Sequence, residues 1–145
     1  MLFVYRTATE ADIPAIKEIS DVMLTATGLG VATIAKITAL VKSPNTLFAL
    51  ALQADTVVGF TCAVVHESVF NDRKRVSDIG VFVLPAHRGT EIAAILVEML
   101  EHWAMQQGAD EVWLGQTTGS NIDKVAEYYQ RLGYTIRGFN AVKEI

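Results

Sequence analysis

A chain of 145 residues that is 51% apolar and only 19% charged holds enough apolar material for one domain with a substantial core, and leaves no room for a second. Its net charge of −4 and pI near 5.3 exclude a basic field able to hold nucleic acid or an anionic membrane, and weakly favour cationic partners such as amines. The single cysteine, Cys62, cannot form an internal disulfide. With neither a signal-peptide pattern nor an apolar run of about eighteen residues, the expectation is a soluble cytoplasmic protein.

In chain order, Leu2 to Arg6 reads as a short strand, and Thr9 with Asp12 three residues on reads as a helix entry. Ile13, Ile16, Ile19 and Met23 give that helix its buried face, and Thr27-Gly28-Leu29-Gly30 breaks it. A second helix is predicted from about Val31 to Lys42. Thr46–Leu52 and Val57–His66 then read as a hairpin about Gln53 to Thr56. Arg73-Lys74-Arg75, the one dense basic run, reads as part of a solvated loop before a strand over Val76–Leu84.

That strand stops at Pro85, and an apolar stripe at spacings of three and four begins almost at once: Ile92, Ile95 or Leu96, Met99, Leu100 and Trp103, ending at Gly108. Unpaired first-turn N–H groups beside Arg88 and Gly89 favour an anion, and a pyrophosphate is the natural guest. Further on, Glu111–Gln116 reads as a strand parallel to Val76–Leu84. Ser120 is a candidate cap for a helix carrying Val125, Tyr128, Tyr129 and Leu132, closed by Gly133. Tyr134–Arg137 and Asn140–Ile145 are predicted as a last hairpin. His66, His87 and His102 lack metal-ligand spacing, so no metal is expected, and His87 is expected to pack at its turn. Neither a G-x-S-x-G elbow nor a P-loop occurs.

The stretch Val83-x-Pro85-x-x-Arg88-Gly89 followed by Ala93 resembles the acetyl-CoA signature of the GNAT superfamily of N-acetyltransferases, Q/R-x-x-G-x-G/A after a strand ending in V-x-P. The stretch from Asn121 through Tyr129 to Gly133-Tyr134 is similar to the family's second signature, one residue longer than the commonest spacing. The resemblance runs from Arg6 to Gly133. It implies an α/β fold of α+β type: a mixed, mostly antiparallel sheet of six to seven strands, about four flanking helices, and two parallel central strands that splay apart.

It also implies acetyl-CoA as co-substrate, a small-molecule or peptide amine as acceptor, direct attack of the amine on the thioester, and a possible homodimer. Arg88, Gly89, Thr90, Glu91 and Ala93 then fall in the pyrophosphate cradle, and Asn121 contacts the coenzyme. The N–H groups of Val81 and Val83 hold the acetyl carbonyl and the pantetheine arm. Tyr129 inherits the role of general acid, which a phenol with an ordinary pKa near 10 suits; packing in the core is its other reading. Asp78 or Glu67 is the candidate base. Glu91 stands where the family has glycine. A carboxylate about 4 Å from a phosphate charge at an effective dielectric near 20 costs roughly 4 kcal/mol. Either Glu91 turns away and serves its own helix, or the chain is a non-catalytic binding module with weakened coenzyme affinity. Transfer of a longer acyl group is a third reading.

Overall fold

The computed structural model describes residues 2–116 and 121–145. These cluster into two compact units, Met1–Trp113 and Leu114–Ile145. The first holds β1 (Phe3–Thr7), α1 (Ile13–Ala26), α2 (Ile34–Lys42), β2 (Thr46–Gln53), β3 (Thr56–Glu67), β4 (Lys74–Val83), α3 (Ile92–Gln106) and β5 (Glu111–Trp113). The second holds α4 (Ile122–Arg131).

The five strands form one sheet in the order β1-β2-β3-β4-β5, antiparallel except for the β4–β5 pair. Side chains alternate across it. Phe48, Leu50, Phe60 and Cys62 face Ile16 and Ile19 of α1 and Ile37 of α2, whereas Ala51, Val58 and Val83 face Ile92 and Leu96 of α3. Both faces are therefore covered, and β2 is buried along almost its whole length. A Cβ on Gly59 would meet the Phe82 carbonyl at 3.0 Å and Ile92 at 3.4 Å, so glycine lets α3 seat this close to β3.

Local chemistry sets the first helix. The Asp12 carboxylate accepts the Thr9 N–H at 2.8 Å and the Thr9 hydroxyl at 3.2 Å, and takes a two-pronged hydrogen bond from the Arg6 guanidinium at 2.7 and 2.9 Å. Those bonds, Arg6's foremost, hold its carboxyl well below the usual range. After α3, Gly108 takes φ +70°, as its stop position requires.

Three expectations need correction. The sheet has five strands among the described residues, not six or seven: residues 134–145 form no hairpin, and Phe139, Val142 and Ile145 are exposed. A two-stranded hairpin alone is at best marginal in water, and Gly138 at φ +77° with Phe139 does not form a tight two-residue turn between alternating strands. The basic run is not all loop. Lys74 and Arg75 open β4, where Lys74 reaches the Gln107 carbonyl at 3.2 Å, and Arg75 lies 4.0 Å over the Trp113 ring and 3.4 Å from Glu111. Finally, α3 starts at Ile92, so Arg88 and Gly89 lie in the loop after a short 3-10 turn, Pro85–His87. The Ser120 cap lies outside the described residues; Asn121 precedes α4 with φ 52°, a left-handed conformation that Asn tolerates.

Candidate active site

Which way each β4 amide points follows from two hydrogen bonds. In an antiparallel pair alternate residues exchange bonds with the partner strand, and those between turn their N–H and C=O away. Leu84 donates to the Val58 carbonyl at 2.9 Å, so Phe82 opposite Phe60 and Gly80 opposite Cys62 also face β3. Val81 and Val83 therefore point their N–H groups away from it. At the other end Ser68 donates to the Arg73 carbonyl at 2.8 Å, which turns Lys74, Val76 and Asp78 away from β3. The parity changes at Ile79, an extra residue between the pairs Cys62–Gly80 and Ala63–Asp78.

The bulge falls two residues beyond the last β4–β5 pair. Parallel pairing with β5 covers Arg75, Val76 and Ser77 and ends at Trp113. A bulge bends and overtwists its strand, and β4 runs on to Val83 beyond the last of these pairs. The amides of Val81 and Val83 thus face the edge of β4 past its last described pair with β5, the split in the ladder. Sequence reasoning placed both residues correctly on this strand and missed Ile79. An isolated glycine in a β-branched run, Gly80, is the signal that marks a bulge.

At the end of the split, Arg88 donates from Nε to the Val83 carbonyl at 3.0 Å and lies over the Phe82 ring at 5.4 Å. Its two terminal nitrogens make no hydrogen bond among the described residues, so four N–H vectors remain for a ligand. Gly89 takes φ +76°, a left-handed turn between Arg88 and the helix start. The Thr90 hydroxyl donates to the His87 carbonyl at 2.6 Å, and the Ile92 N–H donates to the Thr90 hydroxyl oxygen at 3.4 Å. Ile95 donates to the Glu91 carbonyl at 3.0 Å, so the N–H groups of Ile92, Ala93 and Ala94 have no helical carbonyl to bond. His87 packs edge-on against Phe3, ring centroids 5.9 Å apart.

Glu91 is exposed, and its carboxylate makes no hydrogen bond among the described residues. Its charge is felt by Tyr5, whose phenol is pushed above its usual range by burial first and by Glu91 second. Tyr5 lies on β1 and packs with the cluster beneath α3, and its hydroxyl is buried without a described partner. Strand β1 is at the opposite end of the sheet from β5. The Glu91 charge is thus within electrostatic reach of Tyr5 on β1.

Asp78 immediately precedes the bulge, three residues from Val81 along β4, or about 10 Å at the usual rise. Burial, and then the Asp78 charge, push the Cys62 thiol up to about 12. Glu67 pairs with Lys74, seven residues from Val81 and about 23 Å away, too far to serve as a base there. In the second unit, the Tyr129 hydroxyl donates to the Gly115 carbonyl at 3.3 Å, and its ring sits 6.3 Å from Tyr128 and 6.1 Å from Tyr134. Asn121 accepts the Val125 N–H at 3.0 Å through its carbonyl, in the same unit.

The family model described as acetyltransferase (GNAT) family matches residues 17–134. Streptothricin acetyltransferase of Streptomyces lavendulae is 32% identical over 80 residues, 54% of this chain and 40% of that protein, so the match spans under half of that relative. An aminoglycoside N-acetyltransferase solved in complex with CoA superposes with a TM-score of 0.81 at 16% identity, over 99% of this chain and 95% of that one. An aminoglycoside acetyltransferase from an uncultured soil metagenomic sample gives 0.79 at 20% identity, over 100% and 99%. At such identities the likeness is one of fold. No helix among the described residues is long and apolar enough to cross a membrane.

Proposed function

Because the chain belongs to the GNAT family of acetyltransferases, we propose that it moves an acetyl group from acetyl-CoA to a primary amine by direct attack of the neutral amine on the thioester. The observation that carries this reading is the parity change at Ile79, which turns the Val81 and Val83 amides into the split beside β5. An N–H aimed there stabilises charge developing on the thioester oxygen, a contribution of about 3–4 kcal/mol where such donors have been removed from enzymes. Holding amine and thioester side by side supplies much of the rest.

Arg88, with its unspent nitrogens, the Gly89 turn and the first amides of α3 through Ala93 cradle the pyrophosphate. Thr90 braces that turn through His87. Asp78 takes the amine's proton through water, since its distance along β4 leaves room for at least one. Tyr129 as the acid that protonates the departing thiolate, and Asn121 as a coenzyme contact, follow from the resemblance. The alternative, a non-catalytic module with weakened coenzyme affinity, rests on Glu91 standing in the place of the family's glycine, and the binding experiment below separates the two.

Calorimetry with CoA and acetyl-CoA tests the reading, followed by thiol release on adding amines. Cys62, buried and with its thiol raised, contributes no background to a thiol assay. Saturable binding with heat in the micromolar range is expected. Neither heat nor a thermal shift at millimolar ligand rejects the function.

A further inference from the structure

On the α1–α2 face of the sheet, a cavity of about 240 Å³ runs from the loop after α1 down to the β4 bulge. Its inner end is formed by Phe60, Cys62, Ile79 and Gly80, the last directly before Val81. Met23, Leu24, Ile37, Leu40 and Phe48 contribute most of its walls. For a thioester held by the Val81 and Val83 amides, this hollow gives a nucleophile a route from the α1–α2 face, whereas the α3 face of Val83 is filled by Ile92 and Leu96.

The charges around this cavity are few and ordered. Lys36, exposed at the outer rim, is the one ionisable side chain among the walls apart from the Cys62 thiol, and it has no ion-pair partner among the described residues. Asp21, the acid nearest the loop, is spent: it accepts the Ala32 N–H at 2.7 Å and pairs with Lys17 at 2.6 Å. Asp78 is not among the walls: it stands opposite Ala63, the neighbour of Cys62, and so shares the sheet's other face. Leu29, Val31 and Ile34, around the loop between α1 and α2, are large apolar side chains left exposed. A cation thus stands at the mouth, and mostly apolar walls run from it to the bulge.

Resting on the acetyl-transfer reading above, we infer that the acceptor is a primary monoamine with an apolar body, its nitrogen at the inner end beside Gly80 and its body along the cavity, rather than a polycation. At ~30 Å³ per heavy atom the volume suits an apolar group of about eight atoms, the scale of a phenethyl or branched aliphatic chain. A second ammonium would have to enter apolar walls without a counter-ion and face Lys36, a burial that proteins avoid. The acceptor chemistry inferred here therefore differs from that named for the aminoglycoside and streptothricin acetyltransferases, even though the chain's net charge is negative.

The test uses the full chain saturated with CoA. Calorimetry measures affinity for 2-phenylethylamine and 3-methylbutylamine against spermidine and kanamycin, and thiol release from acetyl-CoA measures kcat/KM for the same four. At least tenfold preference for the two apolar monoamines in both readouts is expected. Lys36→Glu, at the exposed rim, should shrink or reverse that preference while CoA affinity stays within threefold. Equal or tighter binding of spermidine or kanamycin overturns the inference and leaves acetyl transfer standing. Tighter binding of octanoyl-CoA than acetyl-CoA also overturns it, by showing that the cavity takes the acyl chain. Absence of CoA binding removes the acetyl-transfer reading and this inference together.

Discussion

Replacing Glu91 separates two pictures of the coenzyme site by three orders of magnitude. A carboxylate about 4 Å from the pyrophosphate would repel it by roughly 4 kcal/mol at an effective dielectric near 20, and removing it would tighten CoA binding about a thousandfold. The structure gives a different number. Glu91 acts on Tyr5 of β1, and β1 lies three strand spacings, about 14 Å, from β4. Placing the carboxylate about 10 Å from a phosphate on the β5 side leaves ~0.4–1.7 kcal/mol across dielectrics of 80 to 20, reduced again by salt. Glu91→Gln and Glu91→Gly should therefore tighten CoA by less than tenfold at 0.15 M salt, measured by calorimetry. The Tyr5 phenol should titrate lower in both variants by ultraviolet difference spectroscopy, because one of the two causes of its raised value is gone. A hundredfold or larger gain in affinity, with Tyr5 unmoved, would refute this placement of the Glu91 charge.

Asp12→Ala removes both the helix-entry bonds to Thr9 and the Arg6 pair. With Arg6 half exposed, about 1 kcal/mol for the cap and about 1 for the pair predict a loss near 2 kcal/mol in urea unfolding. Since the folded Asp12 carboxyl is held below its unfolded value near 3.9, the wild type keeps this stabilisation above about pH 4 and loses it as pH falls further. The variant should lack that acid-side slope, and an unchanged slope would sink the assignment. Ala54 and Asp55 both take positive φ, 48° and 66°, in the two-residue turn between β2 and β3. Ala54→Asn should add about 0.5–1 kcal/mol, seen as a rise of ~2–4 °C in Tm, and a fall would contradict the turn geometry. Thr61 is wholly buried with its hydroxyl unpartnered, so Thr61→Val should stabilise by about 1 kcal/mol in chemical unfolding; a loss of that size would mean the hydroxyl has a partner.

Much of this protein was legible from the chain alone because the relevant signals are local. The apolar stripe from Ile92 to Trp103, the Thr9–Asp12 entry and the Pro85 stop each depend on residues a few positions apart. Repeated periodicity fixed the order of elements and the strand-turn-helix unit that carries Arg88. The family signature marked the residues proposed for the cradle on the same grounds.

Only the folded sheet decided the rest, since it depends on residues far apart in sequence. Whether the Val81 and Val83 amides face β3 or the split turns on one extra residue, Ile79, and on which β3 residues it lies opposite. Strand count, too, was settled by pairing partners: residues 134–145 alternate in places but find no ladder. That the Glu91 charge acts on Tyr5, 86 positions earlier in the chain, is likewise a matter of packing. The apolar cavity exists because α1 and α2 leave a hollow over β4 that no stretch of sequence contains by itself. Periodicity tells which face a side chain takes within its own element; register and packing choose what that face meets.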